Sequence, residues 1–174
     1  KALGLNPQVE GAYYNLGRAL AAQERFEDAA KSYQQAIAQN PQDHEALNNL
    51  GNIVQGQHHL EEAITLFEQV IALRPDYAEA YSNLANTLIM QGESHRAVEM
   101  CEKSIQLKPD LAEAYHNLGN GYALLDEFKK GFDAYNKAIK INPELTEAYV
   151  NMSNLLMENF EYAASAECLQ QLIK

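Results

Sequence analysis

The sequence has no surplus of basic residues. Its 13 Lys and Arg residues stand against 24 Asp and Glu residues, and the formal net charge is -11. A nucleic-acid surface needs clustered basic side chains to neutralise phosphate, and an anionic membrane surface attracts the same groups. We therefore expect neither nucleic acid nor a membrane among the partners of this chain.

Long apolar runs are missing as well. No uninterrupted apolar segment approaches the roughly 18 residues of a membrane span, and Lys1 opens directly into repeat-like sequence with no signal peptide in front of it. The two cysteines, Cys101 and Cys168, show no metal-ligand spacing, and this scarcity favours a reducing compartment. The expected location is cytoplasmic.

Motifs that carry chemistry are also lacking. The chain has no Gly-rich phosphate loop, no metal-ligand motif and no nucleophile elbow. His58 and His59 are adjacent in a short polar turn and cannot both face one metal ion without further ligands. We expect no catalytic residue, no metal and no cofactor, and therefore no enzyme, or at most the non-catalytic part of a larger one.

The chain does contain a seven-residue segment that returns at a fixed interval of 34 residues. Residues 114–120 read AYHNLGN, and near copies stand at 12–18, 46–52, 80–86 and 148–154. Because apolar residues make up 47% of the chain, a disordered chain is excluded. A fixed period of this length predicts stacked repeats, since each unit can bury its apolar face only against its neighbours.

Five prolines keep the same interval and mark the repeat junctions, because a proline stops a helix at the preceding residue. They are Pro7, Pro41, Pro75, Pro109 and Pro143. The predicted divisions are 1–7, which is the tail of a truncated preceding repeat, then 8–41, 42–75, 76–109 and 110–143, and finally 144–174, which is incomplete at its end. Asp76 and Asp110 are the expected N-caps of the helices that follow them.

Each repeat carries two apolar stripes at helical spacing. Tyr81, Leu84, Ala85 and Leu88 form the first type, and Ala63, Phe67, Val70 and Ile71 the second. First helices are predicted near 10–22, 44–56, 78–90, 112–124 and 146–158. Second helices are predicted near 26–39, 60–73, 94–107, 128–141 and 162–174.

These residues resemble the tetratricopeptide repeat, whose signature is a large residue, Leu-Gly, Tyr, Ala, an aromatic residue, Ala and Pro at set offsets. The fourth repeat matches it with Tyr115, Leu118, Gly119, Tyr122, Gly131, Tyr135, Ala138 and Pro143. The third departs from it at Cys101 and Ser104, and the fifth at Ser165 and Leu169. The resemblance implies an all-α, right-handed α-solenoid of helix-turn-helix repeats whose first helices line a concave, peptide-holding surface.

A finer resemblance connects the A-Y-x-N-L-x-N segment to the superhelical arrays of O-linked N-acetylglucosamine transferases, which hold substrate polypeptide on a ladder of asparagines. Another subclass of the family grips a C-terminal carboxylate with a set of Lys, Asn and Arg residues. Here Glu79 and Glu113 occupy places where that subclass needs Lys. Two carboxylates would repel the ligand, so this second subclass is rejected.

A helical wheel places the asparagines of the first helices opposite the core stripe. Asn has a donor and an acceptor, so a row of them can pair with the backbone of an extended chain. The expected peptide-binding residues are Asn15, Asn49, Asn52, Asn83, Asn86, Asn117, Asn120, Asn151 and Asn154, with Glu79, Glu113 and His116 beside them. The alternative for each Asn is a bond between adjacent helices. Glu45, Glu79, Glu113 and Glu147 equally suit the positive ends of helix dipoles. The apolar edge of Ile89, Met90, Leu124 and Met157 contacts either a ligand or neighbouring helices.

Three functions remain open. The leading one is a protein-interaction module or scaffold that binds an extended peptide, with basic peptides preferred because of the net charge. The second is the substrate-recognition region of a larger enzyme similar to O-linked N-acetylglucosamine transferase. The third is a self-associating scaffold, because Leu169, Leu172 and Ile173 would be left partly uncovered and favour end-to-end contact.

Overall fold

A computed structural model describes residues 11–172 of the protein. These residues form ten α-helices and no strand, which confirms the expected all-α class. None of the described helices is both long and apolar enough to cross a membrane. The predicted repeat tail over 1–7, with Pro7, and the position of Ile173 fall outside the described residues.

The helices divide into two compact units at the boundary between Pro75 and Asp76. The first unit contains α1 (Ala12–Ala21), α2 (Phe26–Gln39), α3 (His44–Gly56) and α4 (Leu60–Leu73). The second contains α5 (Ala78–Gln91), α6 (Ser94–Leu107), α7 (Ala112–Leu124), α8 (Phe128–Ile141), α9 (Thr146–Glu158) and α10 (Tyr162–Leu172). Seven of the ten predicted helix ranges agree at both ends, and α5 is one residue longer than expected.

The turn inside each helix pair uses one residue in the left-handed backbone region. The five residues lie 34 apart, with φ of 58° at Glu24, 61° at His58, 86° at Gly92, 57° at Asp126 and 64° at Phe160. The amide that follows each one returns to a carbonyl in the last turn of the first helix, as in the 2.9 Å bond from His59 N to Val54 O. This bond satisfies a helix-end carbonyl and reverses the chain within a few residues.

The prolines mark the junctions between pairs, as predicted. Pro41, Pro75, Pro109 and Pro143 are exposed, and each lies two residues after the end of a second helix. The expected N-caps at Asp76 and Asp110 are wrong, because the residues that precede α5 and α7 are Tyr77 and Leu111. A cap of the expected kind occurs one place later in another repeat, where the Asp43 carboxylate accepts from Ala46 N at 3.0 Å.

Helix pairs interlock where a glycine of the first helix faces an aromatic ring of the second. A Cβ added at Gly17 would lie 2.6 Å from the Tyr33 ring, and one at Gly51 2.7 Å from the Phe67 ring. Gly119 and Tyr135 repeat the arrangement in the second unit at 2.5 Å. Glycine is needed at these places because it lets the ring reach the helix backbone.

Successive pairs also stack within each unit. In the first unit α2 packs on α3, and in the second α6 packs on α7 and α8 packs on α9. First helices of the second unit also contact each other, α5 with α7 and α7 with α9. The predicted core stripe is confirmed, since Tyr81, Leu84, Ala85 and Leu88 are all buried. This is the stacked helix-turn-helix arrangement of an α-solenoid.

Candidate functional site

The predicted binding residues lie on the first helices of the pairs, and their exposure differs widely. Asn15, Asn52, Asn154 and Glu113 are exposed. Asn49, Asn83, Asn86, Asn120, Asn151, Glu79 and His116 are half-buried, and Asn117 is buried with 7% of its surface exposed. The set is therefore not a uniform row of solvent-facing amides.

Asn117 bonds to the neighbouring first helix. Its side-chain amide on α7 donates to the backbone oxygen and to Oγ of Ser82 on α5, and both distances are 3.1 Å. Ser82 is 3% exposed. Both bonds join the Asn117 amide to α5, which is the contact between adjacent helices that was the alternative to peptide binding.

Asn151, Asn120 and His116 form a second link, between α9 and α7. The Asn151 amide donates to His116 Nε2 and to Asn120 Oδ1, each at 2.9 Å. Asn120 Oδ1 also accepts from the Tyr135 hydroxyl at 2.7 Å. The Tyr135 ring lies 6.0 Å from the His116 ring, measured between centroids. The network ties three helices together, with α8 contributing Tyr135.

His116 is a neutral hydrogen-bond acceptor in this network. Amide nitrogens of Asn151 and Asn120 both face its Nε2, at 2.9 and 3.5 Å, so the ring proton belongs on Nδ1. Burial lowers the pKa of His116 below its ordinary value, and the nearby carboxylates of Glu147 and Glu113 only partly oppose that shift. At neutral pH the group therefore carries no charge.

The corresponding residues of the first unit are also engaged. The Asn49 side chain hydrogen-bonds to Tyr33, whose pKa is raised by burial. Burial, together with a hydrogen bond to Glu45, raises the pKa of Tyr14 to about 12. Arg18, which stands one repeat length before Asn52, lies 5.7 Å from the centroid of the Tyr14 ring. Asn52 remains exposed beside these contacts.

A pocket of about 450 Å³ opens in the first unit beside these residues. Asn49, Asn52 and Ile53 of α3 form one wall, and Phe26 and Tyr33 of α2 form the other. Phe26 is 47% exposed, which is a large fraction for an aromatic side chain. The pocket thus joins an apolar floor to two of the predicted amides, and we call it the first pocket.

The second unit has a pocket of about 280 Å³ at equivalent places of the repeat, which we call the second pocket. Tyr135, Asn151, Asn154 and Leu155 line it. They stand three repeat lengths after Tyr33, Asn49, Asn52 and Ile53 respectively. The two pockets therefore share one tyrosine, one pair of asparagines and one aliphatic residue at equivalent places of the repeat.

The glutamates of the predicted edge begin the first helices. Glu45, Glu79, Glu113 and Glu147 each lie in the first turn of their helix, where a negative charge complements the helix dipole. Glu79 also accepts from Lys108 Nζ at 2.7 Å, and although burial opposes the shift, this bond lowers the pKa of the Glu79 carboxyl. These contacts favour the helix-dipole interpretation of the row over selection of a charged ligand.

The apolar edge is not covered by neighbouring helices of its own unit. Met90 is 40% exposed, Leu124 56% and Met157 48%, whereas Ile89 is half-buried. Ile89 and Leu124 line the second pocket. The exposure of these side chains favours contact with a ligand over packing against neighbouring helices.

The described residues offer little for catalysis or metal binding. Within residues 11–172, no group of three or more His, Cys, Asp and Glu side chains is placed to hold a metal ion. Cys101 is fully buried, and burial raises the pKa of its thiol to about 12. A thiol held in that state is a poor nucleophile.

Sequence reasoning missed the tyrosines and aliphatic residues of the two pockets. Tyr33 and Tyr135 stand out in the sequence only as the aromatic residues of the repeat signature, and Ile53 and Leu155 have no predicted role. A signal was available, because Ile53 and Leu155 are apolar residues that directly follow the second asparagine of their repeats. An apolar residue beside a predicted polar face suggests that the face contains a pocket.

Models of a known protein family match the chain in its repeats. Profiles described as tetratricopeptide repeats match residues 17–58, 55–120 and 112–145. Together they run from the first helix pair to the beginning of the fifth. No curated protein sequence matches the chain.

Solved structures show the same fold. MamA from Desulfovibrio magneticus RS-1 is 22% identical, with a TM-score of 0.77 over 92% of this chain and 91% of that one. The thermophilic protein TTC0263 of Thermus thermophilus is 24% identical, with a TM-score of 0.79 over 95% and 93%. YrrB, described as having an unusual peptide-binding site, is 17% identical, with a TM-score of 0.68 over 92% and 83%. Likeness at 17–24% identity shows the fold alone, so the finer resemblance to the transferase arrays stays a prediction.

Proposed function

We propose that this chain, which carries tetratricopeptide repeats, is a protein-interaction module that binds extended peptides on the first helices of its repeats. The observation that carries the proposal is the recurrence of one pocket in both units, with an equivalent pair of asparagines in its wall. A purely structural role for these amides would not require an adjacent opening. A bound extended peptide uses both the amides and the opening, because its backbone hydrogen-bonds to amide groups and its side chains require space.

The exposed amides contribute most of the backbone contacts in this proposal. Asn52 and Asn154 are exposed and Asn86 is half-buried, whereas the Asn117 and Asn151 amides already donate to their own chain. Each neutral hydrogen bond contributes only about 0.5–1.5 kcal/mol net. Measurable affinity therefore requires several repeats, and single substitutions are expected to be mild.

The test uses peptides selected from a random displayed library against the immobilised protein and then measured by fluorescence anisotropy. Replacing Asn52, Asn86 and Asn154 together by Ala should weaken binding about tenfold, which is ~1.4 kcal/mol. The matched control replaces Gln35, Gln69 and Gln170, three exposed amides of second helices, by Ala. Equal affinity of the Asn triple variant and the parent, or an equal loss in the Gln variant, would contradict the proposal.

Self-association is a second candidate, because one surface of the second unit exposes aromatic side chains. Phe160 is 77% and Tyr162 61% exposed, and their rings meet edge to face at 6.3 Å between centroids. Leu169 on α10 is 38% exposed. A second copy of the chain is the proposed occupant. Sedimentation equilibrium should show a mass that rises with concentration, and Tyr162→Ser with Leu169→Ser should abolish the rise. A constant monomer mass in the parent protein would contradict this candidate.

A further inference from the structure

We infer that the first and second pockets each take a basic side chain, lysine or arginine, from the bound peptide. The aliphatic stem of that side chain lies against the apolar wall, and its charged end meets a glutamate at the rim. The inference rests on the proposed function, since it names the side-chain class that the peptide presents. Its support comes from the walls, the carboxylates and the placement of those carboxylates in the helices.

The walls of both pockets suit a long unbranched stem. In the first pocket Phe26 and Ile53 supply apolar surface, and in the second Ile89, Leu124 and Leu155 do so. Lysine and arginine bury such stems on apolar surface while their charged ends stay in water. Because both pockets are open to solvent, a charged end need not be fully desolvated there.

Each pocket also has one carboxylate, and the two carboxylates come from different places of the repeat. Glu27 of α2 lines the first pocket, and Glu158 of α9 lines the second. The place equivalent to Glu158 in the first unit is Gly56, and the place equivalent to Glu27 in the second is Lys129. Each of the two equivalent pockets therefore contains a carboxylate, although the two carboxylates come from different places of the repeat. Simple repetition of the sequence does not explain this agreement.

Among the described residues neither carboxylate has a basic partner, and helix stability does not explain the position of Glu158. Within the described residues, no lysine or arginine forms an ion pair with Glu27 or Glu158. Glu27 lies in the first turn of α2, where the helix dipole favours it. Glu158 is the last residue of α9, where the dipole disfavours an acid. A basic ligand gives that residue a favourable partner.

The experiment on the ligand side uses synthetic peptides of about twelve residues that alternate serine with one test residue, so that all test side chains share one face of an extended chain. The test residues are arginine, its neutral isostere citrulline, lysine, and its neutral isostere norleucine. The arginine and lysine peptides should bind two- to fivefold more tightly than citrulline and norleucine respectively, about the ratio expected of a solvent-exposed ion pair. Added salt should remove the difference.

The protein side uses charge changes inside and outside the pockets. Glu158→Gln should remove about half of the preference for lysine over norleucine, while Glu99→Gln, an exposed carboxylate of α6 outside both pockets, should leave it unchanged. Gly56→Glu should raise the preference, since an added Cβ at Gly56 has nothing within 4 Å and the new carboxylate reproduces the second pocket in the first unit. Gly56→Gln fills the same space without charge and is its control.

The outcomes separate this inference from the proposed function. If norleucine peptides bind as well as lysine peptides and Glu158→Gln changes nothing, the pockets are plain apolar sites and the inference is overturned, while loss of binding in the Asn52, Asn86 and Asn154 variant still supports a peptide-binding face. If that Asn variant binds every peptide as the parent does, the proposed function fails and this inference fails with it.

Discussion

The third repeat (76–109) and the fourth repeat (110–143) both belong to the second unit, and their helix pairs pack differently. In the fourth, Gly119 of α7 lets the Tyr135 ring of α8 approach to 2.5 Å of where a Cβ would stand. In the third, the equivalent residues are Ala85 and Cys101, and both are completely buried. A methyl group added on one helix thus accompanies a ring removed from the other.

The same two repeats also differ at the turn and at the place that receives the next repeat. The third uses Gly92 at the left-handed turn position, whereas the fourth uses Asp126. Ser82 of the third accepts from Asn117, and His116 of the fourth accepts from Asn151. The same 34-residue pattern therefore accommodates at least two different sets of packing residues. Within each set, the residue on one helix fits the residue that it contacts on the other helix.

The largest effect is expected where one half of a pair is exchanged without the other. Gly119→Ala adds a methyl group within 2.5 Å of the Tyr135 ring, so the ring or the helix must shift. Overpacking costs about 1–3 kcal/mol, and with two ring atoms at 2.5 Å we expect the upper part of that range, which exceeds the ~1 kcal/mol that Ala gains over Gly in a helix. Urea denaturation monitored by circular dichroism should show the loss.

The control for that change reproduces the third repeat inside the fourth. When Tyr135→Cys is already present, the ring is gone, and Gly119→Ala should cost nothing or stabilise the protein. The double-mutant cycle should therefore give a coupling energy above ~1 kcal/mol. Additive effects of the two substitutions would show that the two residues are not adjusted to each other.

A smaller effect is expected from the bond that links the third repeat to the fourth. Asn117→Ala leaves the buried Ser82 without the amide that donates to its Oγ and its backbone oxygen at 3.1 Å. We expect a cost of about 1 kcal/mol, at the low end of the range for a buried group that loses its partner, because the Ser82 hydroxyl can turn to a carbonyl of its own helix. Asn154→Ala, at an exposed amide of the same type, should change the free energy of unfolding by less than ~0.5 kcal/mol. Similar losses in the two variants would contradict the helix-joining role of Asn117.

The helices could be predicted from the sequence, whereas the choice between the two predicted roles of Asn117 could not. Helix ranges follow from a strict period, from proline positions and from apolar stripes, all of which are local in the sequence. A helical wheel treats α7 alone, and on that wheel Asn117 points away from the core stripe. Its burial comes from α5, which lies on the other side of the helix and contributes Ser82. The two pockets escaped prediction for the same reason, since each needs walls from two different helices.

The turn position should respond more weakly again. Asp126 has φ of 57°, a left-handed conformation that an L-residue adopts at a cost and that Gly92 of the third repeat adopts freely, with φ of 86°. Asp126→Gly should therefore stabilise the protein by up to ~1 kcal/mol, and Gly92→Asp should destabilise it by a similar amount. Thermal unfolding of the two variants should move in opposite directions. A shift of the same sign in both would argue against strain at this position.

The smallest effect is a pH dependence that the fourth repeat has and the third lacks, because His116 titrates and Ser82 does not. Burial lowers the folded-state pKa of His116 below its ordinary value of 6.5. The unfolded chain therefore binds this proton first, so the stability contributed by neutral His116 is fully present above pH ~6.5 and is lost as the pH falls through the lower folded-state pKa. His116→Ser places the acceptor of the third repeat in the fourth and removes the titration, and it should reduce the slope of unfolding free energy against pH in that range. His95→Ser, at an exposed histidine of α6, is the control and should leave the slope unchanged. If the slope persists in His116→Ser, the acid sensitivity arises from other groups, and the Asn151 bond to His116 has no part in it.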